Sequence, residues 1–204
     1  MINVTRRSEA PASLAAQKEY RNTEILQALS DDFLQKCYLT EFRFSDVSLP
    51  QIDHFVTQHE DPTKIYEWTN LYPIHDKANG IRPKITPPGG YLDPCDEQHD
   101  VEREILYSIR FDGTVSFKAA DPTNRRAVNT ALLLKKVHAH FQNAIAERHN
   151  EIVTTLWNWK NAIEQQDTER IVEFELLLSS LLSRKSAFTM LMRSIRYVPT
   201  QFFD

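Results

Sequence analysis

Two stripes of apolar residues at helical spacing commit the second half of this chain to helices. Val128, Leu132, Leu134, Val137, Phe141, Ala144, Ile145, Ile152, Leu156, Trp159 and Ile163 form the first, beginning near Asn124. Ile171, Phe174, Leu178, Leu181, Phe188, Leu191 and Ile195 form the second. Gln165-Gln166-Asp167-Thr168 separates them and reads as a turn with Asp167 as helix N-cap, so the two helices should pack as an antiparallel hairpin. A single break near His149-Asn150 is expected in the first stripe. Leu176-Leu177-Leu178 with Leu181-Leu182 makes the second helix apolar over more than one face. It therefore calls for a further neighbour, either the N-terminal module or another protein chain.

The first half has a different texture. Residues 1–22 are polar and mixed, with Pro11 ahead of a short helix, and Ile25, Leu26, Leu29 and Phe33 then mark an amphipathic helix over 23–33. Residues 35–95 hold most of the prolines and short apolar runs around Cys37-Tyr38-Leu39 and Gln51-Ile52-Asp53-His54-Phe55, which fits short strands joined by loops. Pro87-Pro88-Gly89-Gly90 is a strong break, and Tyr91-Leu92-Asp93-Pro94 reads as an anchored exit. The expected fold is α+β: an arm and short helix over 1–34, an irregular module over 35–95, and a helical domain over 96–204 suited to docking a partner.

With 204 residues, 41% hydrophobic, 25% charged and 4 glycines, the chain is long and apolar enough for a real core. Twenty-four basic against 28 acidic residues give a net charge of -4, which excludes nucleic-acid coating by bulk positive charge. No apolar run approaches the roughly 20 residues of a bilayer span, and the first residues lack a signal-peptide core, so a cytoplasmic location without membrane contact is expected. Cys37 and Cys95 are too few for a disulfide framework.

The chemistry concentrates in Asp53-His54, followed by Asn70 in Trp68-Thr69-Asn70-Leu71 and Asn79 in His75-Asp76-Lys77-Ala78-Asn79-Gly80. Each fragment is common alone; their order and spacing specify a site. Phosphodiester hydrolysis requires a nucleophilic water, neutralisation of charge on the phosphoryl oxygens and stabilisation of the leaving oxygen. A neutral imidazole can serve as base when its other nitrogen is held, and oxygen donors with open positions favour Mg²⁺ or Mn²⁺.

This pattern resembles the HNH endonucleases, whose module is two short strands and a helix around one divalent metal. Lys36-Cys37-Tyr38-Leu39, Asp53-His54-Phe55, Trp68-Thr69-Asn70-Leu71 and Gly90-Tyr91-Leu92-Asp93-Pro94-Cys95 are similar, more narrowly, to the PtuB nuclease family of Septu anti-phage defence, also found beside some retrons. The resemblance runs from about Leu34 to Tyr107. It implies His54 as general base, Asp53 and Asn79 as metal ligands with Asp76 as the alternative, and Asn70 as a catalytic-loop residue bracing His54. It further implies one Mg²⁺ or Mn²⁺, a DNA substrate with RNA as alternative, an ABC-like or SMC-like ATPase partner (PtuA), and in some systems a retron reverse transcriptase with its RNA-linked DNA. An inactive adaptor of the same fold is a further alternative.

Relatives commonly carry two Cys-x-x-Cys pairs holding a structural zinc. Here the pairs read Cys37-Tyr38-Leu39-Thr40 and His75-Asp76-Lys77-Ala78, leaving two donors where four are needed, so no structural zinc is expected. Burial of Phe33, Leu39, Phe42, Phe44, Phe55, Trp68, Leu71 and Tyr72 is expected to replace the metal clip. Lys77, Arg82 and Lys84 form a local basic patch for phosphate contact. His138, His140 and His149 are spaced wrongly for a shared metal on one helix face.

Overall fold

The computed structural model describes all 204 residues as an α+β fold of seven α-helices and two small antiparallel sheets, about 45% helical. No helix is long and apolar enough to cross a membrane. The chain divides into two compact units, Met1–Leu106 with Phe117–His140, and Tyr107–Ser116 with Phe141–Asp204.

In the first unit α1 (Thr23–Asp32) starts where the Asn22 side chain accepts from the Ile25 amide, and it buries Ile25, Leu26, Ala28 and Leu29. The loop after it folds back at residues 36–43: Cys37 N–H donates to Phe42 O and Glu41 N–H to Cys37 O. Strands β1 (Gln51–His54) and β2 (Leu71–Ile74) pair antiparallel, with Asp53 opposite Tyr72 and His54 opposite Leu71. Pro73 is tolerated because β2 is an edge whose carbonyls still accept, here from Tyr38 N–H at 3.0 Å. Helix α2 (Asp76–Ile81) follows β2 directly, and the His75 imidazole caps it by accepting from Lys77 N–H.

Tyr72 is the hub of this core. Its ring lies 4.9 Å from Tyr38, 5.2 Å from Phe55 and 5.5 Å from Phe33. The Arg6 guanidinium sits 4.8 Å from its centroid and 4.7 Å from that of Trp68. Phe33, Leu39, Phe44, Trp68, Leu71 and Tyr72 are buried as expected, while Phe42 and Phe55 are half-buried. Phe42 and Phe44 instead pack on the His75 ring, at 4.8 and 6.3 Å. Amides of His75, Thr40 and Leu39 point at the Cys37 sulfur, whose thiol burial pushes up.

A short α3 (Val101–Glu104) leads into the β3–β4 hairpin (Ile105–Ile109, Val115–Ala119). Gly113 turns it with φ +79°, so Asp112-Gly113 was a legible hairpin signal in a segment the helical reading of 96–204 passed over. Helix α4 (Arg125–His138) belongs to the first unit and packs on α2. Asn129 Nδ2 donates to Pro88 O and Gly90 O, and Thr130 Oγ1 accepts from Leu92 N–H, which anchors the exit segment. Gly89 is required there: a Cβ on it would lie 2.8 Å from Arg125 Cβ.

The helical stripe breaks at residues 139–141, not at His149-Asn150, and α5 (Gln142–Glu164) runs through that pair. The buried positions Leu134, His138, Phe141, Ile145, His149, Ile152 and Leu156 stay in helical phase across the break, so periodicity could not locate it. In the second unit α5 packs against α6 (Thr168–Leu182) through the short turn, with Asp167 accepting from Arg170 N–H as N-cap. A short α7 (Thr189–Arg193) packs on both. Leu178, Leu181 and Leu182 are buried, whereas Val172, Leu176 and Leu177 remain exposed, although the turn at Thr200–Phe202 packs on α6 beside the first two of these.

His138 is buried at the end of α4 with its ring 4.5 Å from Phe117, and desolvation pushes its pKa down to about 4. The unfolded chain therefore takes up this proton before the folded one does. Stability is full above about pH 6.5 and falls as pH drops toward 4, by about 2 kcal/mol between pH 7 and 5. His54 and His75, also pushed down by burial, add in the same direction. Urea unfolding at the two pH values should show this loss, and His138→Gln should reduce it; a pH-independent midpoint contradicts a buried neutral imidazole.

Candidate functional site

A cleft of about 680 Å³ in the first unit is lined by Asp53, His54, Asp76, Asn79 and Lys84, with Gln51, Gln58 and Tyr20 at its wall. The β1–β2 hairpin supplies the first two of these residues and α2 the next two, so a two-strand and helix unit frames the cleft.

His54 is buried, with Nε2 lying 3.0 Å from the Ile65 carbonyl. A carbonyl can only accept, so Nε2 carries the hydrogen and Nδ1 is the basic nitrogen. Nδ1 accepts from Gln58 Nε2 at 3.0 Å. Burial holds the imidazole below its ordinary pKa despite the Ile65 bond and the Asp53 charge. The ring is therefore neutral at pH 7. Tyr20 covers it edge-on, with centroids 4.8 Å apart.

Asn70 is buried and all its bonds go to backbone. Its Oδ1 accepts from Val56 N–H at 2.7 Å, and Nδ2 donates to Val56 O and Lys64 O at 3.0 and 3.1 Å. Lys64 precedes the residue whose carbonyl orients His54. Asn70 is thus a positioning residue and does not line the cleft.

Asp53 is not an open carboxylate. Tyr38 OH donates to Oδ2 at 2.5 Å, and Arg82 places Nη1 3.2 Å from Oδ1 and Nε 3.1 Å from Oδ2. Burial raises the carboxyl while the guanidinium opposes that rise. The Arg82 guanidinium is itself buried and also donates to the His54 and Phe55 carbonyls. The sequence expectation of Arg82 as a phosphate contact is corrected accordingly: its two terminal nitrogens are engaged with Asp53, His54 and Phe55 because a buried carboxylate needs a counter-charge. Lys77 and Lys84 are exposed, the latter on the cleft wall.

Asn79 Nδ2 donates to Gln51 Oε1 at 2.7 Å, which leaves Oδ1 for a cation. Asp76, 64% exposed, approaches the His75 ring at 2.5 Å. No three His, Cys, Asp or Glu side chains are grouped so as to hold a metal ion among themselves. A hydrated Mg²⁺ does not need such a cluster, since one or two carboxylates plus waters and phosphate oxygens hold it. Of the oxygen donors on this cleft, the Asn79 carboxamide is of the kind such an ion takes, whereas both Asp53 oxygens already have partners in Tyr38 and Arg82. Arg82 is the standing counter-charge with which the ion must share Asp53.

Sequence reasoning passed over Gln58, Tyr20 and Gln51. Each acts through a side-chain contact that no local motif marks, and Tyr20 reaches His54 from 34 positions away, in the N-terminal arm. Comparison with protein-family models, curated proteins and solved structures gives no match.

Removing Arg82 leaves Asp53 as an unpaired buried charge. Arg82→Ala should destabilise the protein by about 3–5 kcal/mol, and adding Asp53→Asn should recover part of that loss. Urea unfolding of the two single variants and the double variant measures the coupling; additive losses contradict the pairing.

Proposed function

We propose that the protein is a metal-dependent HNH-type nuclease that hydrolyses phosphodiester bonds in DNA. The observation that carries this reading is the His54 imidazole, fixed through Nε2 on a backbone carbonyl at the end of an antiparallel hairpin, in a cleft shared with Asn79 of the following helix.

His54 Nδ1 takes the proton from the attacking water. For this the Gln58 amide must release the nitrogen, and its swing makes room for water beside the base. The Ile65 carbonyl holds the ring against rotation and stabilises the imidazolium as it forms. Asn70 ties Lys64, next to that support, to Val56, two residues after His54. Lys84 offers a positive charge to the phosphate at the wall of the cleft. A divalent cation bound at Asp53 and Asn79 would neutralise charge on the phosphoryl oxygens and stabilise the leaving oxygen.

The resemblance of the Cys37, Asp53, Asn70 and Gly90 segments to the PtuB family supports a role as effector of a Septu or retron-associated defence complex. In that setting an ABC-like or SMC-like ATPase (PtuA) delivers the substrate, consistent with a net charge of -4 that gives little attraction for DNA. The exposed Val172, Leu176 and Leu177 on α6 suit such a protein partner. A second reading, an inactive HNH-derived adaptor, is favoured by one feature: both Asp53 oxygens are held by Arg82 and Tyr38.

With Mg²⁺ or Mn²⁺ the chain, alone or with its ATPase, should cut DNA, and His54→Ala should lower the rate by a factor on the order of 10² to 10⁴. Equal, non-zero rates in the two proteins contradict His54 as the base, and no cutting in any arm favours the adaptor. Parallel reactions on RNA and tRNA decide the polymer. Because burial lowers the His54 pKa, activity should rise with pH along a limb centred below 6.5 and then level. A limb centred above 7 contradicts His54 as the base.

A further inference from the structure

We propose that the second unit carries its own binding groove for single-stranded nucleic acid, gripping bases by stacking. The groove, about 550 Å³, lies between the β3–β4 tip, α5 and the segment after α7. That volume falls within the range of about 300–1,000 Å³ usual for ligand sites.

Three aromatic rings line it and face solvent: Phe111 is 92% exposed, Tyr197 71% and Trp157 65%. Rings of this size are ordinarily buried, and three on one groove make a patch in need of a flat apolar partner. Cations share the groove with them. Arg196 lies 5.1 Å and Lys160 5.9 Å from the Tyr197 centroid, and Arg110 joins them on the wall. No Asp or Glu lines the groove, although the chain as a whole is acidic. At its floor is His149, 5% exposed, with Nδ1 buried and without a hydrogen-bond partner. A buried polar atom with no partner is costly and points to a ligand that supplies one.

Repeating π-faces set beside cations match a strand of nucleotides, in which every unit carries a base to stack and a phosphate to neutralise. An acidic peptide would satisfy Arg110, Lys160 and Arg196 but offers no flat partner for each of three rings. Three phosphate contacts imply a shallow salt dependence, with a log–log slope of about -2 for a single strand. The proposal rests on the functional reading for its choice of polymer, but the groove shares no residue with the His54 cleft.

The test uses the full chain with His54→Ala, in EDTA, titrated with fluorescein-labelled oligothymidylate and followed by anisotropy and by tryptophan emission. Binding with quenching is expected, and Trp157→Ala or Arg196→Glu should each weaken it about tenfold or more, with circular dichroism unchanged. No binding, unchanged affinity in both variants, or binding of a poly-glutamate peptide in preference to the oligonucleotide overturns the proposal. Hydrolysis of bis(p-nitrophenyl) phosphate by the chain with native His54 reads the other cleft separately. Its absence alongside intact oligonucleotide binding sinks the nuclease reading and leaves the groove standing, and Trp157→Ala should leave that hydrolysis unchanged.

Discussion

The buried Asp53 carboxylate, bonded to both Arg82 and Tyr38, holds the first unit in register. Arg82 follows α2 immediately, Asp53 is in β1, and Tyr38 comes from the fold-back after α1, so the Asp53 carboxylate, bonded to both of the others, ties three separate stretches of chain together. Taking a carboxylate and a guanidinium out of water is unfavourable unless both find partners. Here the carboxylate has the tyrosine hydroxyl as well, and the guanidinium has two carbonyls of the strand end. Every displacement of α2 relative to β1 would break several of these bonds at once. That is what fixes Asn79 and His54 around one cleft.

The same contact sets a competition. Asp53 is the one buried carboxylate on the cleft, and the scaffold already uses it. A cation arriving there meets an Arg82 charge of its own sign, so its binding energy is offset by whatever the guanidinium loses. Elsewhere the unit relies on packing. Tyr72, Phe33 and Trp68 gather around the Arg6 guanidinium with Tyr38 against Tyr72, and two phenylalanines cover His75 beside the Cys37 sulfur. Fully burying each such apolar side chain contributes roughly 1.5–3 kcal/mol, enough that a few of them stabilise the fold-back strongly.

What sequence made legible was what short-range pattern encodes. Helices α1, α5 and α6 follow from apolar spacing, and Asp167 from its place before the second stripe. The hairpin carrying Asp53 and His54 follows from a short apolar run, and Asn79, singled out by motif order and spacing, lies in α2 on the same cleft. The break at residues 139–141 escaped because Leu134, His138, Phe141 and Ile145 keep phase across it. The association of α4 with the first unit escaped because it depends on Gly89, Asn129 and Thr130, three contacts between segments about 40 residues apart. The burial of Arg82 escaped because a basic residue beside a catalytic-looking asparagine reads the same whether it faces phosphate or an internal carboxylate.

The β3–β4 hairpin has its base in one compact unit and its tip in the other, so the backbone passes between them at 106/107, 116/117 and 140/141. No single scission of the polypeptide divides the protein into two autonomous pieces. A recombinant fragment ending at residue 140 would keep a ten-residue excursion, 107–116, stripped of the helices it belongs with. The complementary fragment would lack Arg110 and Phe111 from its groove. Shuffling either half as a cassette is thereby hindered.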